Sequence, residues 1–273
     1  MMKTVKKVWL FCAVCALAAT GTSCQKEKLA EEVKGNYCGY TLAQNNYFSD
    51  YFTAGESLSV TKTGDDEVKV SFVSPTWGSF VLEGVTVKQS GKNHSLSGNG
   101  KVTLRDKEYA CSLTANVGSF SNANFTFEVP GLMAGGTRVV FHTGTASTGY
   151  YVAGTYKGSL SMTVSGNDYG STDTSITLKG ESGNKVSIAL PAVGSGKMSI
   201  PSVTLTDIPL TTSDYQSFSI PSTEVAFTDS ESGTRYAGTL EGRVSGEELH
   251  LSYSLKPGAM PMSIDFTFGP VSR

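Results

Sequence analysis

The sequence predicts an all-β chain of two tandem antiparallel β-barrels, with β-sandwiches as the alternative, and three observations lead there. Apolar residues alternate in twos, as half-buried strands require. Only 17% of residues are charged while 30 of 273 are glycine, the composition of short strands joined by tight turns. The chain also repeats itself once along its length.

The elements follow in order from the N-terminus. Lys3, Lys6 and Lys7 precede an uncharged apolar run, Val8–Ala19. That run is too short to span about 30 Å of hydrocarbon, so residues 1–23 read as a signal peptide. Gly21-Thr22-Ser23-Cys24 resembles a bacterial lipobox, in which small residues precede a cysteine that becomes N-terminal and acylated with chains such as palmitate; Gly21 departs from the leucine usual at its place. Residues 24–32 then read as the lipidated Cys24 and a tether. The membrane becomes a partner through acylated Cys24, and the chain is expected to be a bacterial outer membrane lipoprotein facing the periplasm or the cell surface.

Beyond the tether, Val33-Lys-Gly35-Asn-Tyr37-Cys-Gly39 recurs as Val152-Ala-Gly154-Thr-Tyr156-Lys-Gly158. An ungapped match then runs from Ser57 to Val87. It pairs Leu58 with Ile176, Val68 with Val186, Val70 with Ile188, Phe72 with Leu190, Phe80 with Met198 and Leu82 with Ile200. Tyr109–Leu113 answers Tyr236–Leu240, and Val139 and Phe141 answer Ile264 and Phe266. Two domains result, 33–144 and 151–270, joined by a polar linker at 145–150, and each is expected to fold alone.

Val68, Val70 and Phe72 point one way with Lys69 and Ser71 between them, which is a strand with one buried face. Thr63–Glu67 and Glu181–Asn184 are polar and sit at matching places, so they read as hairpin tips. The apolar phase shifts at Glu83-Gly84 and at Pro201-Ser202, implying a bulge or corner in each copy.

Gly35-Asn36-Tyr37 and Gly154-Thr155-Tyr156 open the first strand of each copy as Gly-x-aromatic. This resembles the Gly-x-Trp signature of calycins, the superfamily of lipocalins and related small barrels, and the whole pattern resembles the calycin-like β-barrel domain of bacterial lipoproteins. Tyrosine stands in place of tryptophan in both copies. The resemblance implies a basic residue from the last strand packed on that aromatic, Arg138 in copy one, where copy two has Ser263. It also implies barrels that either pack their own interior or hold one small ligand.

Chemistry is sparse. A net charge of −2 and a pI near 6.0, without a basic cluster among aromatics, argue against nucleic acid as a partner. No Gly-x-Ser-x-Gly, GxxxxGK or HExxH motif occurs, so no enzyme activity, metal or cofactor is expected. His94, His142 and His250 read as turn or outward positions, and Asp65-Asp66-Glu67 as a solvated tip rather than a calcium site. After loss of the leader, Cys38 and Cys111 remain; alternation points them to opposite faces, against a disulfide between them.

Aromatic residues give the candidate binding site. Tyr47, Phe48, Tyr51 and Phe52 crowd the first loop of copy one, and Trp77 with Phe80 marks another; copy two keeps only Tyr169 in the first of these places. Large aromatics with few rotors suit a pocket mouth or a sugar face. Two functions are therefore expected. The first is a non-enzymatic envelope lipoprotein binding a small apolar or amphipathic ligand in a barrel; the alternative is a surface module contacting a glycan or partner protein, an inhibitor included.

Overall fold

The structure is a computed structural model that describes residues 28–194 and 199–271; the signal peptide and Cys24 lie outside the described residues. The chain divides into two units between Gly144 and Thr145. The first contains α1 (Leu29–Val33), β1 (Gly35–Gln44), β2 (Tyr51–Lys62), β3 (Glu67–Ser74), β4 (Gly78–Ser90), β5 (Asn93–Leu104), β6 (Lys107–Ser119), β7 (Asn122–Val129) and β8 (Thr137–Thr143). The second contains α2 (Thr148–Tyr151), β9 (Gly154–Val164), β10 (Asn167–Glu181), β11 (Lys185–Leu190), β12 (Val203–Pro209), β13 (Ser217–Thr228), β14 (Arg235–Ser245), β15 (Glu248–Pro257) and β16 (Ile264–Gly269).

Both units are antiparallel barrels rather than sandwiches. In the first, β1 pairs with β2 and with β8 and closes the eight-stranded meander. In the second, β9 pairs with β16 in the same way, but β12 and β13 are left at the ends of the sheet. A single bridge, Thr211 to Ser219, joins those flanks among the described residues. Pro209 ends β12, and Pro221 sits where the register of β13 shifts; a proline has no N–H for a ladder, so this seam stays unzipped.

Period-two alternation puts Val68, Val70, Phe72, Val186 and Ile188 fully inside. Burial of such apolar area is the main stabilising term of each barrel. In barrel 1 the centre is an aromatic stack. Phe80 lies 4.7 Å from Phe127 and 5.4 Å from Phe72, all three buried.

The repeated Val-x-Gly-x-Tyr-x-Gly segment has a defined job in each copy. The Tyr37 hydroxyl donates to the Val33 carbonyl at 2.6 Å and that of Tyr156 to the Val152 carbonyl at 2.8 Å, pinning α1 and α2 against their barrels. The closing glycine lets the first strand approach the last. A Cβ on Gly39 would lie 1.8 Å from the His142 carbonyl oxygen, and one on Gly158 would lie 2.3 Å from that of Gly269.

Two boundaries move as a result. Residues 29–32, expected in the tether, belong to α1. Ala30 and Val33 are fully buried, and the Ala30 N–H donates to the Asp65 carbonyl at 3.0 Å, so the helical turn plugs one end of barrel 1. Residues 145–150, expected as a linker, belong to the second unit: Ala146 and Thr148 are buried and the Ser147 hydroxyl donates to the Glu181 carbonyl at 2.5 Å. Their small size serves packing rather than flexibility, since a Cβ on Gly149 would lie 2.0 Å from the Lys185 carbonyl oxygen.

The strand register also revises the repeat. Val70 faces Leu82 and Ile188 faces Leu205, so Leu205, not Ile200, is the counterpart of Leu82; the β11–β12 connection is longer than the turn between β3 and β4. The bulge of copy two accordingly falls at Asp207 (φ 60°), the equivalent of Gly84 (φ 64°), instead of at Pro201-Ser202. Thr41 faces Phe141 and Leu160 faces Phe268, which makes Phe268 the counterpart of Phe141.

Burial pushes the Tyr37 hydroxyl up to about 12. The folded chain therefore keeps a proton that the unfolded chain loses near pH 10, so this contribution is full below pH 10 and lost as pH rises toward 12. The loss amounts to at most about 3 kcal/mol. Urea unfolding at pH 9 and pH 11.5 should show that Tyr37→Phe flattens this alkaline decline in barrel 1, at a cost of about 1 kcal/mol at neutral pH. Identical slopes for parent and variant would rule out Tyr37 as its source.

Candidate functional site

Antiparallel topology puts the β1–β2, β3–β4 and β7–β8 connections at the end of barrel 1 opposite α1, and the matching connections of barrel 2 at the end opposite α2. These two mouths carry equivalent positions with different chemistry.

The mouth of barrel 1 is filled. Trp77 is 3% exposed and its indole N–H donates to Thr41 Oγ1 at 3.2 Å, while Thr41 Oγ1 is bonded to Thr53 Oγ1. The Ser74 hydroxyl donates to the buried carboxylate of Glu56 at 2.8 Å and accepts the Thr76 and Trp77 N–H groups, each at 3.2 Å. Phe48 and Tyr51 lie 6.1 and 5.5 Å from the indole and 5.4 Å from each other. This layer is a bonded polar ring under an aromatic cap.

Among the described residues, barrel 2 shows no such cap. Register places Leu160 where barrel 1 has Thr41, Thr172 where it has Thr53, and Thr174 where it has Glu56. Leu190 and Val203 replace the stacked Phe72 and Phe80. A cavity of about 310 Å³ lies at this mouth. Leu160, Met162 and Phe266 form its floor, Thr172, Thr174 and Tyr169 its wall, and Ala192–Gly194 its roof. No charged side chain lines it among the described residues.

The aromatic residues singled out in copy one are therefore divided. Phe48, Tyr51 and Trp77 come together as the cap, while Phe52 turns outward against Tyr40 at 5.9 Å. The loop is held by local bonds: Asn45 Oδ1 accepts the N–H groups of Tyr47 and Phe48 at 2.7 and 3.1 Å, and Asn46 Nδ2 donates to the Ala134 carbonyl at 3.2 Å. Tyr47 projects furthest, 73% exposed against 47% for Tyr51, close to a cleft of about 580 Å³ between the β1–β2 and β7–β8 loops.

Other expected positions are corrected as well. Arg138 lies at the mouth end, on the outer face, paired with Glu128 at 3.3 Å, far along β8 from Tyr37. His94 points inward at the plugged end, where Nε2 comes within 3.0 Å of Glu32 Oε2; alternation along Asn93–Leu104 makes it an inside position. His142 does face outward, but it is stacked on Tyr40 at 5.1 Å and bonded to Asn124 at 2.7 Å, and burial lowers its pKa. Cys38 is exposed and Cys111 buried, both free, and burial pushes the Cys111 thiol up to about 11, away from nucleophilic use. Leu160, Met162, Thr172 and Thr174 escaped notice because aliphatic and hydroxyl residues at alternating positions look alike whether they fill a core or line a cavity.

A family model described as a calycin-like beta-barrel domain matches residues 33–145 and 152–270. Among solved structures, a Bacteroides fragilis protein named "putative outer membrane protein" is 28% identical, with a TM-score of 0.73, over 88% of this chain and 98% of that one. No curated protein matches the chain.

Proposed function

The chain belongs to the calycin-like β-barrel domain family, with one domain in each half, and from that premise we propose an envelope lipoprotein that takes a small neutral amphiphile into the mouth of its second barrel. The observation that carries this reading is the uncapped cavity beside Leu160 and Met162. Its volume of about 310 Å³ lies at the small end of ligand pockets, which suits a single ring or a short chain. An apolar floor under hydroxyl-bearing walls matches an apolar body with a polar tip. Charge is disfavoured: a carboxylate beside Thr172 and Thr174 would meet no cation among the described residues, and an unpaired charge taken out of water is costly.

Titration with 1-octanol and with octanoate at pH 8, followed through the amide resonances of Thr172 and Thr174, tests this. Octanol should shift both resonances, octanoate should bind at least about tenfold more weakly, or about 1.4 kcal/mol, and Met162→Trp should abolish the response by filling the cavity. Equal binding of the two, or no shift with either, would refute the neutral-amphiphile reading.

The envelope address is supported by the Lys-rich apolar leader, by Gly21–Cys24 and by the likeness to the Bacteroides fragilis protein. Two or more acyl chains on Cys24 would hold the protein stably where one would not. Cys24→Ala should accordingly move it from the detergent phase to the soluble envelope fraction on phase partitioning, and unchanged partitioning would remove the lipid anchor from the proposal. A second reading, contact with a glycan or protein partner, is favoured by the projecting Tyr47 beside its cleft.

A further inference from the structure

The plugged end of barrel 1 carries a feature that neither the fold nor the cavity of barrel 2 uses. At the tip of the β6–β7 hairpin, Phe120 is 53% exposed, although its ring is held in place. It lies 5.1 Å from the Tyr37 ring and over Gly35, where a Cβ would come within 2.4 Å of it. The neighbouring β4–β5 tip is joined to the same edge by the Asn93 amide, which donates to Asn116 Oδ1 at 3.0 Å. Across the two tips, Ser90–Asn93 and Ser119–Asn122, the only charged residue is Lys92, and Lys34 precedes Gly35; no acid occurs in either tip.

Chain length gives this surface its partner. Only Gln25–Lys28 separate Cys24 from α1, whose Ala30 and Val33 are fixed in the barrel end. Even fully extended, those residues keep Leu29 within about 18 Å of the acylated cysteine. Acids of this end, Glu31, Glu32 and Asp65, sit on α1 and the β2–β3 tip, with Glu31 paired to Lys34. A rigid aromatic in an acid-free tip beside Lys92, on the end of the barrel tied closest to the anchor, suits the headgroup region, where aromatic rings and lysines both settle. We propose that barrel 1 stands on the lipid surface by its plugged end, with Phe120 in the membrane interface and the Trp77 end turned away. This rests on the lipid-anchor reading of Cys24.

The test uses the full lipidated chain in phosphatidylethanolamine–phosphatidylglycerol vesicles containing brominated acyl chains. Trp77, the sole tryptophan after removal of the leader, sits at the far end and serves as the internal control. Phe120→Trp should lose at least a third of its added emission in brominated against plain vesicles, while the parent and Tyr47→Trp lose almost none. Ser121→Trp, which leaves Phe120 on Tyr37, repeats the measurement should Phe120→Trp misfold. Vesicle flotation of Phe120→Trp and Ser121→Trp with their added emission unquenched, or equal quenching at position 47, would overturn the orientation while leaving the anchor intact. Failure of the parent to float would instead overturn the anchor reading, and the orientation with it.

Discussion

Gly39→Ala should cost barrel 1 at least about 3 kcal/mol, a large part of the 5–15 kcal/mol that holds an ordinary domain together. The added Cβ would lie 1.8 Å from the His142 carbonyl oxygen and 2.8 Å from its carbon, so backbone rather than a flexible side-chain end must move. Gly39 pairs with Thr143 on the seam that closes the barrel, and the β1 register shifts immediately after it. Relief therefore means prising β1 from β8. Urea denaturation and amide exchange at Tyr40 and Thr41 would report this as an early transition confined to the first unit. Gly158→Ala should act likewise on the second, through a 2.3 Å approach to Gly269, whereas Gly154→Ala meets nothing within 4 Å and should stay within about 0.5 kcal/mol of the parent. A Gly39→Ala protein as stable as the Gly154→Ala one would mean that the seam is not sterically closed.

Phe127→Ala should be comparably severe for a different reason. Its ring is fully buried, 4.7 Å from Phe80 and 5.6 Å from Phe72, within a barrel whose curvature is fixed by hydrogen bonds all the way round. Such a wall cannot collapse far into the void, so the loss should approach the upper part of the roughly 3–5 kcal/mol seen for buried Phe→Ala changes. The denaturant midpoint of barrel 1 should fall with its slope unchanged. A cost below about 1 kcal/mol would indicate a loosely filled interior, contrary to the stacked geometry. In barrel 2, Leu190 and Val203 stand for Phe72 and Phe80, so that layer carries no aromatic stack.

Much of this architecture was legible in the order of residues. Alternation along Val68–Phe72 and Val186–Leu190 marked the inner face, the turn residues of 63–67 and 181–184 marked hairpin tips, and the recurring Gly-x-Tyr segment marked where each barrel begins. Alternation also put Cys38 and Cys111 on opposite faces, as they are. Local character alone decides less. Ala146 and Thr148 are buried and Gly149 packs on strand backbone, so the segment between the two family matches is fixed against the second unit. Tyr47 to Phe52 and Trp77 read as two separate aromatic candidates, and the ring contacts of Phe48 and Tyr51 with Trp77 join them in one cap.

The sequence by itself determined which side chains point inward, because a strand's period of two is written into the chain, and it determined that the fold occurs twice. It did not determine which inward residues meet. A slip of two residues keeps every side chain on its own face, so Phe141 matches Phe266 as well by pattern as it matches Phe268 by pairing, and a longer β11–β12 connection leaves the same alternation behind it. Hydrogen-bond register across β1–β8 and β9–β16 removes that ambiguity. Only then does Thr174 take the place of Glu56, and Leu160 that of Thr41, so that one barrel mouth carries a bonded polar layer under Trp77 while the other, among the described residues, holds a cavity.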